Sequence, residues 1–181
     1  MEEFMKKLIV LFPGIRYSTD MPLLYYGRLK YEERGYEVLH MNYDNTYKKV
    51  KTLEEAIKYG KEYALNKLKD INFLDYDDVV FISKSMGTVV SGFIEEKLNI
   101  NVRHIYLTPL NETLNYIKKG KNIIIVVSGT KDKHMDSEIL KSHCLKENIN
   151  FKLIEGANHR LEIKNDINKN IEILKEVVKL Y

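Results

Sequence analysis

"FISKSMGTVV", Phe81 to Val90, is the stretch on which the reading of this chain turns. Val79 to Ile82 has the length and apolar character of a buried strand, and Thr88 to Leu98 has helical period. The residues between, Ser83 to Gly87, must therefore reverse the chain within a few positions, with Ser85 at the apex. A strand-to-helix turn this tight strains the apical backbone and needs small residues two places before and after it, here Ser83 and Gly87. What it gains is chemical: the serine Oγ stands clear of the sheet, and the following helix aims its N-terminus at whatever the Oγ attacks. Read alone, these residues also fit a serine that caps a helix.

Outward from the turn, short apolar runs alternate with longer segments of helical period, the mark of a parallel sheet flanked by helices. The predicted strands are Leu8 to Phe12, Tyr36 to Met41, Val79 to Ile82, Val102 to Leu107, Ile123 to Ser128 and Phe151 to Ile154. The predicted helices are Met21 to Arg34, Leu53 to Leu68, Thr88 to Leu98, a short one near Glu112 to Lys118, Ser137 to Glu147, and a closing one over Ile167 to Leu180. No repeat and no Pro/Gly/Ser-rich linker divides the 181 residues, so residues 1–181 read as one domain.

Composition narrows the function classes. With 44% hydrophobic and 30% charged residues the chain has globular character, and no apolar run reaches membrane-spanning length. The apolar run Leu8 to Phe12 after Lys6 and Lys7 is too short for a signal peptide, which gives a cytoplasmic expectation with no membrane partner. The net charge of +3 comes from 29 basic and 26 acidic side chains interleaved along the chain, a pattern that does not indicate nucleic-acid binding. The lone Cys144 has no His or Cys at metal-ligand spacing and reads as a small apolar helix residue, so neither a metal nor a cofactor is expected. Oligomeric state is left open.

The segment "SKSMGT" resembles the nucleophile elbow of the α/β-hydrolase family, written GxSxG, with Ser83 in place of the first glycine. The resemblance implies a reduced α/β-hydrolase fold, a three-layer α/β/α sandwich around a six-stranded parallel sheet. Its strand order is then second, first, third, fourth, fifth, sixth, with the site where the order reverses. A serine nucleophile needs a base and the base an orienting acid. "SGTKDKH" after the fifth strand offers Asp132, and "EGANHRLE" after the sixth offers His159, so the chain order Ser85, Asp132, His159 is the family's.

The family draws one oxyanion donor from the residue after the nucleophile, here Met86, and another from the loop after the first strand, "FPGIRYSTD", here the N–H of Ile15 beside Gly14. The family's early antiparallel strands have no room before Leu8, and Leu110 to Lys121 is too short for a lid domain. A lidless site is built from its loops, with Gly14, Arg16, Tyr17, Leu110, Met135 and Arg160 as substrate-pocket candidates. It is expected to take a small ester, thioester or amide, with Arg16 and Arg160 adding a preference for an anionic group. Activity is expected to rise as His159 loses its proton near neutrality.

Other readings of the same residues compete. "KS" at Lys84-Ser85 ends a phosphate-binding loop only where glycines precede it, and Asp78 and Ser83 stand there instead. Asp44 occupies a ribose-binding position, but "PGIRYS" lacks a glycine fingerprint, which makes Asp44 a loop or capping residue. Lys84 as base for Ser85 requires neighbours at a sharp turn to converge, so a structural or solvent role is favoured. His134 is only two residues from Asp132, too close for a base that should arrive from a separate loop. His40, His104 and His143 read as packing or surface residues. The alternative from another class is a catalytically silent member that binds a small ligand or a protein through the same cleft.

Overall fold

The computed structural model describes residues 5–43 and 50–181. The runs of β-branched and aromatic residues form six parallel strands: β1 (Lys7–Phe12), β2 (Glu37–His40), β3 (Asp78–Lys84), β4 (Arg103–Leu107), β5 (Ile123–Gly129) and β6 (Phe151–Ile154). They lie in the order β2-β1-β3-β4-β5-β6, as the resemblance implied. Strands with apolar side chains on both faces need cover on both faces. Ile9 and Leu11 of β1 face one layer while Leu8, Val10 and Phe12 face the other.

Five α-helices supply that cover: α1 (Pro22–Glu32), α2 (Leu53–Leu68), α3 (Met86–Leu98), α4 (Ser137–Glu147) and α5 (Ile167–Lys179). α1 and α5 cover one face, where Leu24, Tyr31, Ile173 and Val177 are buried against Ile82 and Leu107. α2 and α3 cover the other with Ala64, Leu68, Val90 and Ile94, and α4 extends that layer with Leu140 and Cys144 over Tyr106 and Val126. The chain end is tied down, since the Tyr181 hydroxyl donates to the Leu23 carbonyl at 3.2 Å.

Local signals set the helix starts. Thr52 and Glu55 form a reciprocal capping box at α2, Pro22 occupies the first turn of α1, and Asp136 and Asp166 cap α4 and α5. Several expected boundaries shift by a residue or two, and two of the differences bear on the site. The helix expected near Glu112 to Lys118 is a 3-10 turn over Asn111–Asn115, held by the Thr113 hydroxyl accepting from Leu110 N at 3.1 Å. The helix expected from Thr88 starts at Met86, because β3 runs on to Lys84 and the reversal is accomplished at Ser85 alone. Among the described residues no helix is long and apolar enough to cross a membrane.

Candidate active site

The order of the sheet reverses at β1, so the connections leaving β1 and β3 diverge to opposite faces and open a crevice at the C-terminal edge. Ser85 stands at that crevice with φ 55° and ψ −125°, a conformation that a residue with a Cβ adopts only under constraint. Its backbone is held on both sides: Ser85 N donates to Leu107 O at 3.0 Å, and Ser85 O accepts from the Thr88 hydroxyl at 2.6 Å. The two small neighbours have separate reasons. A Cβ on Gly87 would run into the carbonyl oxygens of Phe12 and Pro13, so α3 can start this close to β1 only with glycine there. Ser83 is fully buried and satisfies its hydroxyl by donating to Ile105 O at 3.3 Å, which is how serine replaces the usual glycine.

The two partners arrive from neighbouring loops. His159, in the loop after β6, places Nε2 2.8 Å from the Ser85 Oγ and Nδ1 2.7 Å from the Asp132 Oδ2. Asp132 follows β5 and has a fully buried side chain. Its Oδ1 accepts from His134 N at 2.8 Å, and its Oδ2 also lies 3.4 Å from the Ser128 hydroxyl. The two loops are laced together, with Lys131 N donating to Ala157 O at 2.9 Å and Gly156 N to the Thr130 hydroxyl at 2.8 Å.

Electrostatics assign the roles. Burial opposes a charge on Asp132, but the hydrogen bonds from His159 and from His134 N outweigh it and hold the carboxyl below its ordinary value. An ionised Asp132 accepts from Nδ1–H, which leaves Nε2 with a lone pair toward the serine O–H. Burial disfavours the imidazolium, and despite the bond to Asp132 the His159 pKa lies below the usual 6.5 rather than near neutrality.

The loop after β1 closes the other side. A Cβ on Gly14 would lie 2.8 Å from the Ser85 Cβ, so only glycine lets this loop approach Ser85 so closely. Tyr17 returns to bridge Gly14, is buried, and its hydroxyl accepts from Leu23 N at 3.1 Å, with burial first among the causes that push its pKa up to about 12. Ile15 and Arg16 are exposed beside it. A groove of about 330 Å³ runs between this loop, the stretch Arg160 to Glu162, and Ile171 and Leu174 of α5.

Two pocket candidates are placed elsewhere. Leu110 is 3% exposed in the layer under α3, and Met135 is 1% exposed against Tyr106, Leu140 and Cys144, so both are core residues rather than rim. Both follow strand ends at the C-terminal edge of the sheet, but their apolar side chains turn inward. Arg160 is exposed and its guanidinium reaches Glu162 at 3.6 Å, which offsets the charge expected to favour anionic substrates.

Of the competing readings, His134 is exposed, gives its backbone N–H to Asp132, and sets its ring 4.5 Å from that of His159. It supports the acid and stands outside the relay. Lys84 is 1% exposed, so its role is structural and not one of solvation. Among the described residues no group of three or more His, Cys, Asp or Glu side chains is placed to hold a metal. Asp44 lies outside the described residues.

Neither a protein-family model nor a curated protein matches the chain in sequence. Solved structures do match in shape. An α/β serine hydrolase homologue from Coxiella burnetii is 14% identical, with 98% of this chain and 86% of that chain covered and a TM-score of 0.65. Est1E from Butyrivibrio proteoclasticus is 12% identical over 99% of this chain and 90% of its own, with a TM-score of 0.62. An α/β serine hydrolase without a lid from Xanthomonas campestris is 12% identical over 99% and 84%, with a TM-score of 0.59. The fold of this chain is therefore that of the α/β hydrolases.

Proposed function

We propose that the protein is a serine hydrolase that cleaves a small ester, thioester or amide through an acyl-enzyme on Ser85. The observation that carries this reading is the unbroken relay from the Ser85 Oγ to His159 at 2.8 Å and on to Asp132 at 2.7 Å, on a serine held in a strained conformation. His159 Nε2 takes the serine proton as Oγ attacks the acyl carbonyl carbon. In this reading the tetrahedral oxyanion faces the backbone N–H groups of Met86 and Ile15, a role supported by the start of α3 right after Ser85 and by the close approach of Gly14 to the Ser85 side chain. As the intermediate collapses, His159 gives its proton to the leaving group. Water, deprotonated by the same nitrogen, releases the acid and restores Ser85.

The stretch from Leu110 to Lys121 is too short for a lid domain, which argues for a small acyl group. The groove of about 330 Å³ at Arg160 to Glu162 adjoins the histidine loop but is lined by neither Ser85 nor His159. Each buried CH₂ is worth roughly 0.8 kcal/mol only while it stays covered. The test is kcat/KM for p-nitrophenyl esters and acyl thioesters of increasing chain length, assayed on wild type and Ser85→Ala. Rates should level off at short chains and vanish in the variant. A steady rise through the long chains would contradict the small-pocket reading, and turnover that survives in Ser85→Ala would end the acyl-enzyme reading.

A further inference from the structure

Lys84 is the last residue of β3 and follows a run of apolar or small residues, "VVFIS", Val79 to Ser83. It is 1% exposed, which for lysine demands compensation. Its Nζ donates to the Thr108 hydroxyl at 2.8 Å and to the backbone carbonyl of His159 at 2.8 Å, and the ring of Tyr17 lies 4.6 Å away. One amino group thus joins three separate loops: that after β1, that after β4, and the one carrying the base. Thr108 is itself held at φ 43°, a backbone conformation that β-branched residues avoid.

We propose that Lys84 is a positioning residue for the catalytic histidine: its buried amino group ties the main chain of His159 and the hydroxyl of Thr108 to the end of β3, one residue from the nucleophile. This rests on the acyl-enzyme reading. The contacts of the Lys84 amino group are the Thr108 hydroxyl, the His159 carbonyl and the Tyr17 ring, not the Ser85 Oγ or the imidazole, so it acts through the position of His159.

The clamp also carries charge. Burial brings the Lys84 pKa down to about 7, with Asp132 and Glu162 favouring its charge and Arg160 opposing it. His159, faced by Asp132, Lys84 and His134, titrates below 6.5, so Lys84 keeps its charge through that range. The ammonium opposes the imidazolium, and its removal should raise the His159 pKa.

The test uses Lys84→Met, which keeps the apolar stem and removes the nitrogen, and Thr108→Val, which removes one partner and keeps the charge. Two quantities are read: kcat and KM for p-nitrophenyl acetate, and the His159 ring titration by NMR, which needs no turnover. Lys84→Met should lose roughly tenfold to a hundredfold in kcat with KM little changed, and its His159 pKa should rise by about half a unit or more. Thr108→Val should lose about fivefold in kcat without that rise. Unchanged kcat in either variant overturns the proposal, as does a fall in Lys84→Met with the His159 titration unmoved, since packing loss alone would give that. If Lys84→Met does not fold, Thr108→Val decides on its kinetics: a fall of about fivefold in kcat with KM unchanged supports the clamp, and an unchanged kcat or a change confined to KM overturns it. Should wild type neither hydrolyse esters nor label with a fluorophosphonate, the acyl-enzyme reading has failed, and the His159 titration still tests the clamp.

Discussion

The two edges of the sheet solve the same geometric problem, turning strand into helix and back, with different residues. At the N-terminal edge the described residues with positive φ are Gly35, Asn99, Gly120 and Asn148. Glycine and asparagine accept that conformation, and Asn99 and Asn148 end α3 and α4 with it. At the C-terminal edge Gly156 and Asn165 are joined by Arg16, Ser85, Thr108 and Leu161, residues for which the same conformation is costly. Hollow size runs the other way. A cleft of about 730 Å³ lies at the N-terminal edge, against about 330 Å³ for the groove beside the histidine loop, and there Asp78 is already paired with Arg103 and Tyr36. The relay of Ser85, His159 and Asp132 lies at the edge where the strained residues gather, not at this larger cleft.

The widest gap between the edges should appear in activity. Ser85→Ala should lose on the order of 10³ or more in kcat. Asp132→Asn and His159→Ala should each be crippling, and combining either with Ser85→Ala should cost little further, because the three act as one unit. Additive losses would break the relay.

The next effect is the pH dependence of kcat/KM. Burial makes the imidazolium the disfavoured form, so His159 gives up its proton at lower pH than free histidine. Activity should rise with pH and reach half its plateau below 6.5. A midpoint above that value would show that the bond to Asp132 outweighs burial.

Strain itself can be read as stability. Ser85→Gly abolishes the nucleophile and should stabilise the fold by about 1 kcal/mol in denaturant unfolding, whereas Asn99→Gly at the opposite edge should change stability by less than about 0.5 kcal/mol. Equal responses would mean that the two edges do not differ in strain. The smallest effect belongs to Arg103→Met, which breaks the partly exposed pair with Asp78. It should cost about 1 kcal/mol or less and leave ester hydrolysis unchanged.

Much of this is legible in the sequence because the fold repeats one instruction: an apolar run, then a turn, then a helix of matching length. "FISKSMGTVV" carried the elbow, since Gly87 is demanded by the close passage of α3 across β1 and Ser83 is small enough to be fully buried with its hydroxyl on Ile105 O. Asp132 and His159 were legible because each follows a strand end in the order the reading needs. What depends on side-chain direction was not legible. Leu110 and Met135 sit at the right ends of the right strands and still turn into the core. Lys84 was hidden by its own chemistry: a lysine beside a turn is ordinarily solvated, and only the fold shows Thr108 and the His159 carbonyl waiting for its protons. A lysine directly after the buried run Val79 to Ser83 is the one signal that could have pointed there.

The central claim is that Ser85 is a nucleophile activated by His159, and covalent trapping tests it without knowledge of the natural substrate. Wild type and Ser85→Ala are incubated with a fluorophosphonate, and the adduct is located by intact mass and peptide mapping. One phosphonyl group on Ser85 of the wild type, absent from the variant, is the predicted result. An unlabelled wild type, or a label that persists when Ser85 is alanine, would contradict the account.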